Sequence, residues 1–446
     1  MTPDPPTPAR GRRRLTKVAV TLALGTAMFA AGAVLIQPAI PNTPPFPASA
    51  PTGTAARPEA PAAALTARLE RLPGDWNTWT ALGMARIEQA RTTADPALYA
   101  AAEKALRRSL SVQPGGNSGA ETGMAALAAA RHEFTAARTW AEKAITSDPY
   151  NPAAYGVLAD AHTQLGHYRD AERAVQKMND LRPDAASLAR ASYVFELRGS
   201  TGRAAELMRR SLTAATTDSE RAFAHACLSG LALEDGDARQ ALSEAEQGLR
   251  KTPADPALLD ARARALAALG QTKQARADWQ HATDIAPLPQ LLLALGETHQ
   301  ALGHDEQAEA SYALLRAQDT LRTSAGGAPD TDAILFEADH GSPGRAVAMA
   351  EQALHTRPFV AVHDAYAWAL HRAGRSEEAL AHADQALALG TRNALWHYHR
   401  AAIHHALGNK QAATADLRSA LGQAPALNPL HAAQARALSK RIGTQP

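Results

Sequence analysis

Apolar and small residues recur along most of the chain at helical spacing, in paired runs broken by a single glycine. The stretch from Pro152 to Pro183 shows the unit. Tyr155, Leu158, Ala159 and His162 precede Gly166; Tyr168, Ala171, Val175 and Met178 follow it, and Pro183 closes. Steps of three and four residues predict two amphipathic helices, and the glycine between them predicts a turn. Neither helix can bury its stripe alone, so the pattern demands partners.

The chain supplies them by repetition. The turn position is held by His132, Gly166, Gly199, Gly236, Gly270, Gly303, Gly341, Gly374 and Gly408, at intervals of 33 to 38 residues. Five positions on stand Ala137, Ala171, Ala204, Ala241, Ala275, Ala308, Ala346, Ala379 and Ala413. Seven beyond those come Ala144, Met178, Ser211, Gly248, Ala282, Leu315, Ala353, Ala386 and Ala420. Small residues at fixed places let two helix backbones approach, and glycine permits a left-handed turn between them. An earlier, tenth unit carries Trp79, Leu82, Gly83, Leu106 and Pro114, with extra residues around Arg91 to Pro96. The register slips after Leu212 and between Arg316 and Pro329. The unit after the second slip is the weakest, with Ser342-Pro343 following its glycine, although serine then proline is a good helix start. Pro429 to Ile442 predicts one last amphipathic helix, read as a cap that solvates the open end.

These landmarks resemble the tetratricopeptide repeat, with its period of about 34 residues and its Leu-Gly, Tyr, Ala and Pro positions. The resemblance spans roughly residues 72 to 425. It implies an all-α, right-handed α-solenoid of about ten helix-turn-helix repeats over residues 67–428, with capping helix and tail at 429–446. It also implies a scaffold that binds proteins or extended peptides in a concave groove, with no catalysis and no cofactor.

The N-terminus reads differently. Residues 1–17 form a basic tail, and residues 18–36 carry no charge, which is enough at ~1.5 Å per residue to cross a ~30 Å hydrocarbon core. Bases before a lone apolar helix predict a single-pass transmembrane helix, N-terminus inside and repeats outside. A cleaved signal remains open, since Ala48-Ser49-Ala50 resembles a cleavage site and Arg12 to Lys17 a twin-arginine export signal. A lipoprotein anchor does not, because no cysteine follows the apolar run. Residues 37–66, rich in proline and alanine, predict an extended spacer.

Composition sharpens this picture only in places. An aromatic share of 5% within a 46% hydrophobic share suits many slim helices packed closely. The net charge of +2 conceals an asymmetry: residues 1–36 hold five bases and one acid, so the remainder is slightly acidic and offers no electrostatic footprint for nucleic acid. Cys227 is the single cysteine. That excludes an internal disulfide and a multi-cysteine metal site, and it suits a small apolar filler in a helix core.

Laid on a helix at 100° per residue, the first helix of each unit places Glu88, Asp160, Glu196, Glu234, Asp260, Glu297, Asp339 and Asp364 opposite its core stripe. Only Arg264 and Arg372 join them as bases, and Tyr193, Phe223, Trp368 and Tyr398 as aromatics. In proteins similar to this one that face lines the groove. An acidic stripe with aromatic anchors suits a basic or neutral extended peptide, and it equally suits a solvated face that keeps an alanine-rich solenoid soluble. The candidate peptide site comprises Asp364, Trp368, His371 and Arg372 on one helix, Tyr398 and His405 on the next, and Tyr193 with Glu196 further up the chain.

Histidines crowd the C-terminal units at 355, 363, 371, 382, 397, 399, 404, 405 and 431. A histidine-rich accessory protein for metal homeostasis is the alternative reading. Against it, His397 and His404 fall on core positions, His404 and His405 diverge, and His399 lies on neither stripe, so no metal ligand set is assigned. Enzyme signatures fail too: His132-Glu133 is followed by Ala136 where a zinc protease needs histidine. Gly199 to Gly202 and Asp235 to Asp237 read as turn chemistry.

Overall fold

The computed structural model describes residues 60–93, 97–324, 328–422 and 427–443. Among them are twenty-two α-helices and no strand. A leading helix, α1 (Ala60–Arg71), is followed by ten helix pairs. Pairs one to four are α2 (Trp76–Thr93) with α3 (Ala97–Val112), α4 (Ser118–Ala130) with α5 (Phe134–Ser147), α6 (Pro152–Gln164) with α7 (Tyr168–Leu181), and α8 (Ala185–Leu197) with α9 (Thr201–Ala214). Pairs five to seven are α10 (Asp218–Glu234) with α11 (Ala238–Leu249), α12 (Pro256–Ala268) with α13 (Thr272–Ile285), and α14 (Pro289–Ala301) with α15 (Asp305–Ser324). Pairs eight to ten are α16 (Thr331–His340) with α17 (Pro343–Thr356), α18 (Val360–Arg372) with α19 (Ser376–Leu387), and α20 (Ala394–Ala406) with α21 (Lys410–Gly422). The last helix, α22 (Pro429–Ile442), stands alone.

The two helices of a pair begin by different chemistry. First helices mostly start behind a side-chain cap: Asn117, Asn151, Asp184, Thr217, Asp255, Asp330 and Asn393 each accept a backbone N–H, which satisfies donors the helix itself leaves free. Second helices mostly start directly from a left-handed residue. His132 has φ 63°, and Gly166, Gly199, Gly236, Gly270, Gly303, Gly374 and Gly408 have φ between 69° and 83°. In each of these eight turns the next N–H bonds the carbonyl five residues back, as from His167 to His162 at 2.8 Å and from Arg375 to Leu370 at 2.8 Å. This is the Schellman closure that glycine makes cheap.

Gly341 is the exception, with φ −133°. There Glu337 accepts the Ser342 N–H through its carboxylate at 2.9 Å, and Ser342 caps α17 with Pro343 in its first turn. The weakest unit in the sequence is thus the one whose turn is closed by a side chain.

The alanine register is the core. Ala137, Ala204, Ala241, Ala275, Ala346, Ala379 and Ala413 have no exposed area, and neither do Ala144, Ala282, Ala386 and Ala420. Larger residues fill the gaps between pairs. Fully buried Trp279 packs among Leu258, Leu266 and Leu291, and Phe134 among Ala126, Val157 and Leu165. From Ile334 onward these local clusters merge into one large core that extends through Leu427, Ala435, Leu438 and Ile442.

Two features depart from an open solenoid. First, the array closes on itself. The Tyr168 hydroxyl accepts a hydrogen bond from Val360 N at 3.0 Å, 192 residues away. Thr391 Oγ1 donates to the Leu197 carbonyl at 2.6 Å, 194 residues away. The turns of pairs three, four and five (Gly166, Gly199, Gly236) lie against the carbonyls of Pro358, Gly390 and Gly422, which close pairs eight, nine and ten. Second, α22 covers the last pair and also reaches back to pair seven. It packs on α20 and α21 and reaches α14, burying its stripe of His431, Ala432, Ala435, Leu438, Ser439 and Ile442, and its His431 also meets Asp339 of α16.

Helix α1 also corrects the N-terminal boundary: residues 60 to 66, read as spacer, are helical. Only Pro61 interrupts this alanine-rich stretch, and it falls in the first turn, where a missing N–H costs nothing. The segment 18–36 read as membrane-spanning lies outside the described residues. Among those described, no helix is long and apolar enough to cross a membrane.

Candidate functional site

Helices α12, α14, α16 and α20, with Trp279 of α13 and the start of α22, line a cavity of about 130 Å³. Repetition brings the first four together. Their concave faces are successive copies of one helix face, so acids at equivalent positions stack into a ladder. Helix α22 then adds Asn428 and His431 from outside the repeat register.

Glu297 comes from α14 and is 3% exposed. Its Oε1 lies 3.4 Å from His340 Nε2 and 3.9 Å from His431 Nε2, and its Oε2 accepts from the Asn428 amide. Asp339, from α16, accepts the Trp368 indole N–H on both oxygens at 3.0 Å and lies 3.5 Å from Arg372. Its Oδ2 is 3.8 Å from His431 Nε2. Burial works to raise the Asp339 pKa, but His431 and Trp368 outweigh it and hold the carboxyl below its ordinary range. The His431 imidazole is pulled the other way: desolvation opposes its charge, while Glu297 and Asp339 favour it and raise it above the ordinary value.

Deeper in the wall, His399 is 1% exposed. Its Nδ1 meets the two oxygens of Asp364 at 3.0 and 3.1 Å, and its ring stacks on Trp368 at 4.1 Å between centroids. His399 lines the cavity, and its Nε2 is buried without a hydrogen-bond partner. Asp332 lines the same cavity; burial and neighbouring Asp330, against the attraction of Arg264, lift its carboxyl to about 7. The chamber is therefore acid-rich, and its charge is only partly answered by Arg264 and His431.

The sequence-predicted patch is found here, but it is covered. Asp364, Trp368 and Tyr398 were expected on an open groove; they are 1%, 3% and 7% exposed. Asp364 is engaged with His399, Trp368 with Asp339, and the Tyr398 hydroxyl donates to Gln434 of α22 at 3.3 Å. The concave face of these pairs holds the chain's own last helix. His371 is half-buried against Trp368 and bonds Ser376 at 3.0 Å, and burial, with His399 and Arg372 nearby, takes its pKa down to about 4. Arg372 and His405 are exposed.

Tyr193 and Glu196 sit elsewhere, on α8. Tyr193 is half-buried against the C-terminal core, at the seam where the array meets itself. Glu196 is half-buried, and its environment lifts its carboxyl to about 7. Glu234 on α10 is raised as well, first by burial and then by Glu196, and its Oε2 is buried without a partner.

The other acids of the stripe have internal partners. Asp160 pairs with Arg190 at 2.8 Å, and Asp260 holds Arg264 at 2.8 Å and the Trp279 indole at 2.7 Å. His397 meets Asp416 on the second helix of its own pair at 2.9 Å. Cys227 is partly buried against Ala224 and Leu228, and burial, then Glu196, pushes its thiol up.

His399 and His431 are the residues that sequence reasoning missed. His399 belongs to neither helical stripe, and His431 belongs to a helix whose destination no local pattern encodes. The one available signal was the 35-residue step from Asp364 to His399, one position beyond the repeat interval.

Residues 128–192 match the family model for the tetratricopeptide repeat. A search of curated proteins finds no match. Among solved structures, PilW, a widely conserved type IV pilus biogenesis factor, is 20% identical over 45% of this chain and 92% of its own, with a TM-score of 0.39. Human IFIT1, solved as a dimer with m7Gppp-AAAA, is 15% identical over 74% of this chain and 76% of its own, at 0.48. A tetratricopeptide repeat protein from Parabacteroides merdae is 17% identical over 57% of this chain and 98% of its own, at 0.32.

Proposed function

We propose that this chain, built of tetratricopeptide repeats, is a scaffold for protein partners, anchored by residues 18–36 with its repeats outside the cytoplasm. The observation that carries the scaffold reading is the array itself: ten helix pairs stacked in chain order, whose first helices pack on one another from α2 to α12 and from α14 to α20. A wall of this kind recognises by surface area and by rows of side chains, not by a reaction centre.

Charge supports a partner that is a basic or neutral extended segment. Glu196 is raised by burial, and Glu234 by burial and then by Glu196. A lysine or arginine placed beside them would relieve both costs at once. At the C-terminal end of the wall the accessible members are His371, Arg372 and His405, because His399 and Asp339 enclose Asp364 and Trp368 and α22 covers Tyr398.

Cross-linking in intact membranes followed by pull-down of the full chain tests this. The Glu196→Gln/Glu234→Gln and Arg372→Ala/His405→Ala variants are expected to lose partners that the wild type retains. An identical partner set from both variants would remove the inner wall from the reading. Washing the same membranes in high-pH carbonate tests the anchor, which requires the chain to stay in the pellet.

A further inference from the structure

We propose that Glu297, Asp339 and His431 form a binding site for one divalent transition-metal ion, zinc by preference, which fastens α22 to the inner wall of the array. The site goes beyond the scaffold reading and stands whether or not the wall takes a partner.

Geometry carries the argument. One oxygen of Glu297, one oxygen of Asp339 and Nε2 of His431 lie within 4.8 Å of one another at a cavity of about 130 Å³. Both carboxylates are 3.8 to 3.9 Å from the imidazole nitrogen, beyond hydrogen-bonding reach. Two ligands around a tetrahedral zinc stand about 3.4 Å apart, so each carboxylate needs to approach the His431 nitrogen by roughly half an ångström. One nitrogen and two carboxylate oxygens form a donor set that zinc accepts, with a further position for water or a fourth ligand.

The surroundings resemble those of a metal centre. Ligands of such centres are held by outer partners that fix their orientation, and both acids have them. Asp339 is held by the Trp368 indole at 3.0 Å, and Glu297 by the Asn428 amide and by His340.

The independent pointer is His399. Its Nδ1 is fixed by Asp364, its Nε2 is buried at the same cavity, and that nitrogen has no partner. A carboxylate that orients an imidazole whose other nitrogen is free is the usual outer arrangement of a metal-ligating histidine. His399 lines the same cavity but is not among the three donors within 4.8 Å of one another, so it would have to shift to become a fourth ligand. The rival arrangement needs no ion: His431, protonated, simply balances Glu297 and Asp339.

The other histidine cluster, His162, His167 and Asp170, lies at a half-buried to exposed turn. Its close Nδ1 pair at 3.4 Å recurs at His299 and His304. It is a property of the repeat turn and serves as the control.

The test uses the full chain in detergent, stripped with chelator and titrated with zinc by equilibrium dialysis. One ion per chain at micromolar zinc is expected. Glu297→Gln and His431→Gln should each weaken binding at least tenfold, and His162→Gln/His167→Gln should leave that ion in place. Zinc should raise the Tm of the wild type by about 2 °C or more and leave that of His431→Gln unmoved. It should also slow hydrogen exchange in α22. Cobalt substituted for zinc should give visible bands without thiolate charge transfer.

Circular dichroism of the variants separates a lost ligand from a lost fold. No bound ion at tens of micromolar zinc would establish the ion-free arrangement and overturn the proposal. Binding that persists unchanged in Glu297→Gln/His431→Gln would assign the ion to surface histidines and overturn it equally.

Discussion

Glycines that look alike in the sequence do different work in the fold. Gly166 and Gly270 share a left-handed backbone, φ 72° and 77°. A Cβ at Gly270 meets open space, whereas one at Gly166 would sit 2.7 Å from the Pro358 carbonyl oxygen. Gly270→Ala should therefore cost only the left-handed penalty, roughly 1–2 kcal/mol. Gly166→Ala should cost at least twice as much, because the seam must part. Paired denaturant melts check this, and equal losses would show that the seam bears no load. Glu196 makes a second prediction at this scale. Its folded pKa of about 7 lies above the ordinary 4.5, so the folded state holds an extra proton between those values. That contribution is complete below pH 4.5 and is lost as pH rises through 7. Glu196→Gln should flatten this decline and raise stability at pH 8, on the order of 1 kcal/mol after allowing for the neighbouring acid. Tm measured from pH 5 to pH 8 is the readout.

Among the elements, α22 determines what the inner wall exposes. It buries Leu438 and Ile442 in the C-terminal core, and its Gln434 accepts from Tyr398. A chain that stops after Asn428 should keep the helical circular dichroism of its ten pairs. It should bare Trp368 and Tyr398, seen as stronger acrylamide quenching, and lower the Tm by several degrees. An unchanged quenching profile would place α22 off the wall in solution. The eighth pair offers a smaller test of element-level logic. Its turn lacks the Schellman closure, and the Glu337 carboxylate takes the Ser342 N–H instead. Glu337→Ala should cost about 1–2 kcal/mol, the price of one lost buried acceptor, whereas the alanine substitution of exposed Glu377 one pair on should cost almost nothing.

At the scale of the molecule, the array is closed by few bonds between residues far apart in the chain. Hydrogen bonds from Val360 to Tyr168 and from Thr391 to Leu197 cross the seam, supported by Arg392 at 3.7 Å from Asp235. The Tyr168→Phe/Thr391→Val variant should keep its helix content and lose about 1–3 kcal/mol. Its radius of gyration by small-angle scattering should rise if these bonds hold the closed form. An unchanged radius would assign closure to apolar packing, with Tyr193 at the same seam the next residue to test.

The helix pairs, their turns and their alanine core could be read from the chain because each depends on residues a few positions apart. A left-handed turn residue and alanine at a helix contact are local requirements, and the register met the first at eight of nine turns, seven times with glycine and once with His132. Gly341 departed because Ser342-Pro343 starts a helix at once and leaves no room for the usual closure. The site was legible in part for the same reason: helical geometry put Glu297, Asp339, Asp364 and Trp368 on one face. Whether that face stayed open was settled only by packing. Closure and the seat of α22 arise from small rotations summed over ten pairs, and each rotation depends on side-chain volumes at an interface. His399 became interior, and His431 met Glu297, through that sum, which no single window of sequence contains.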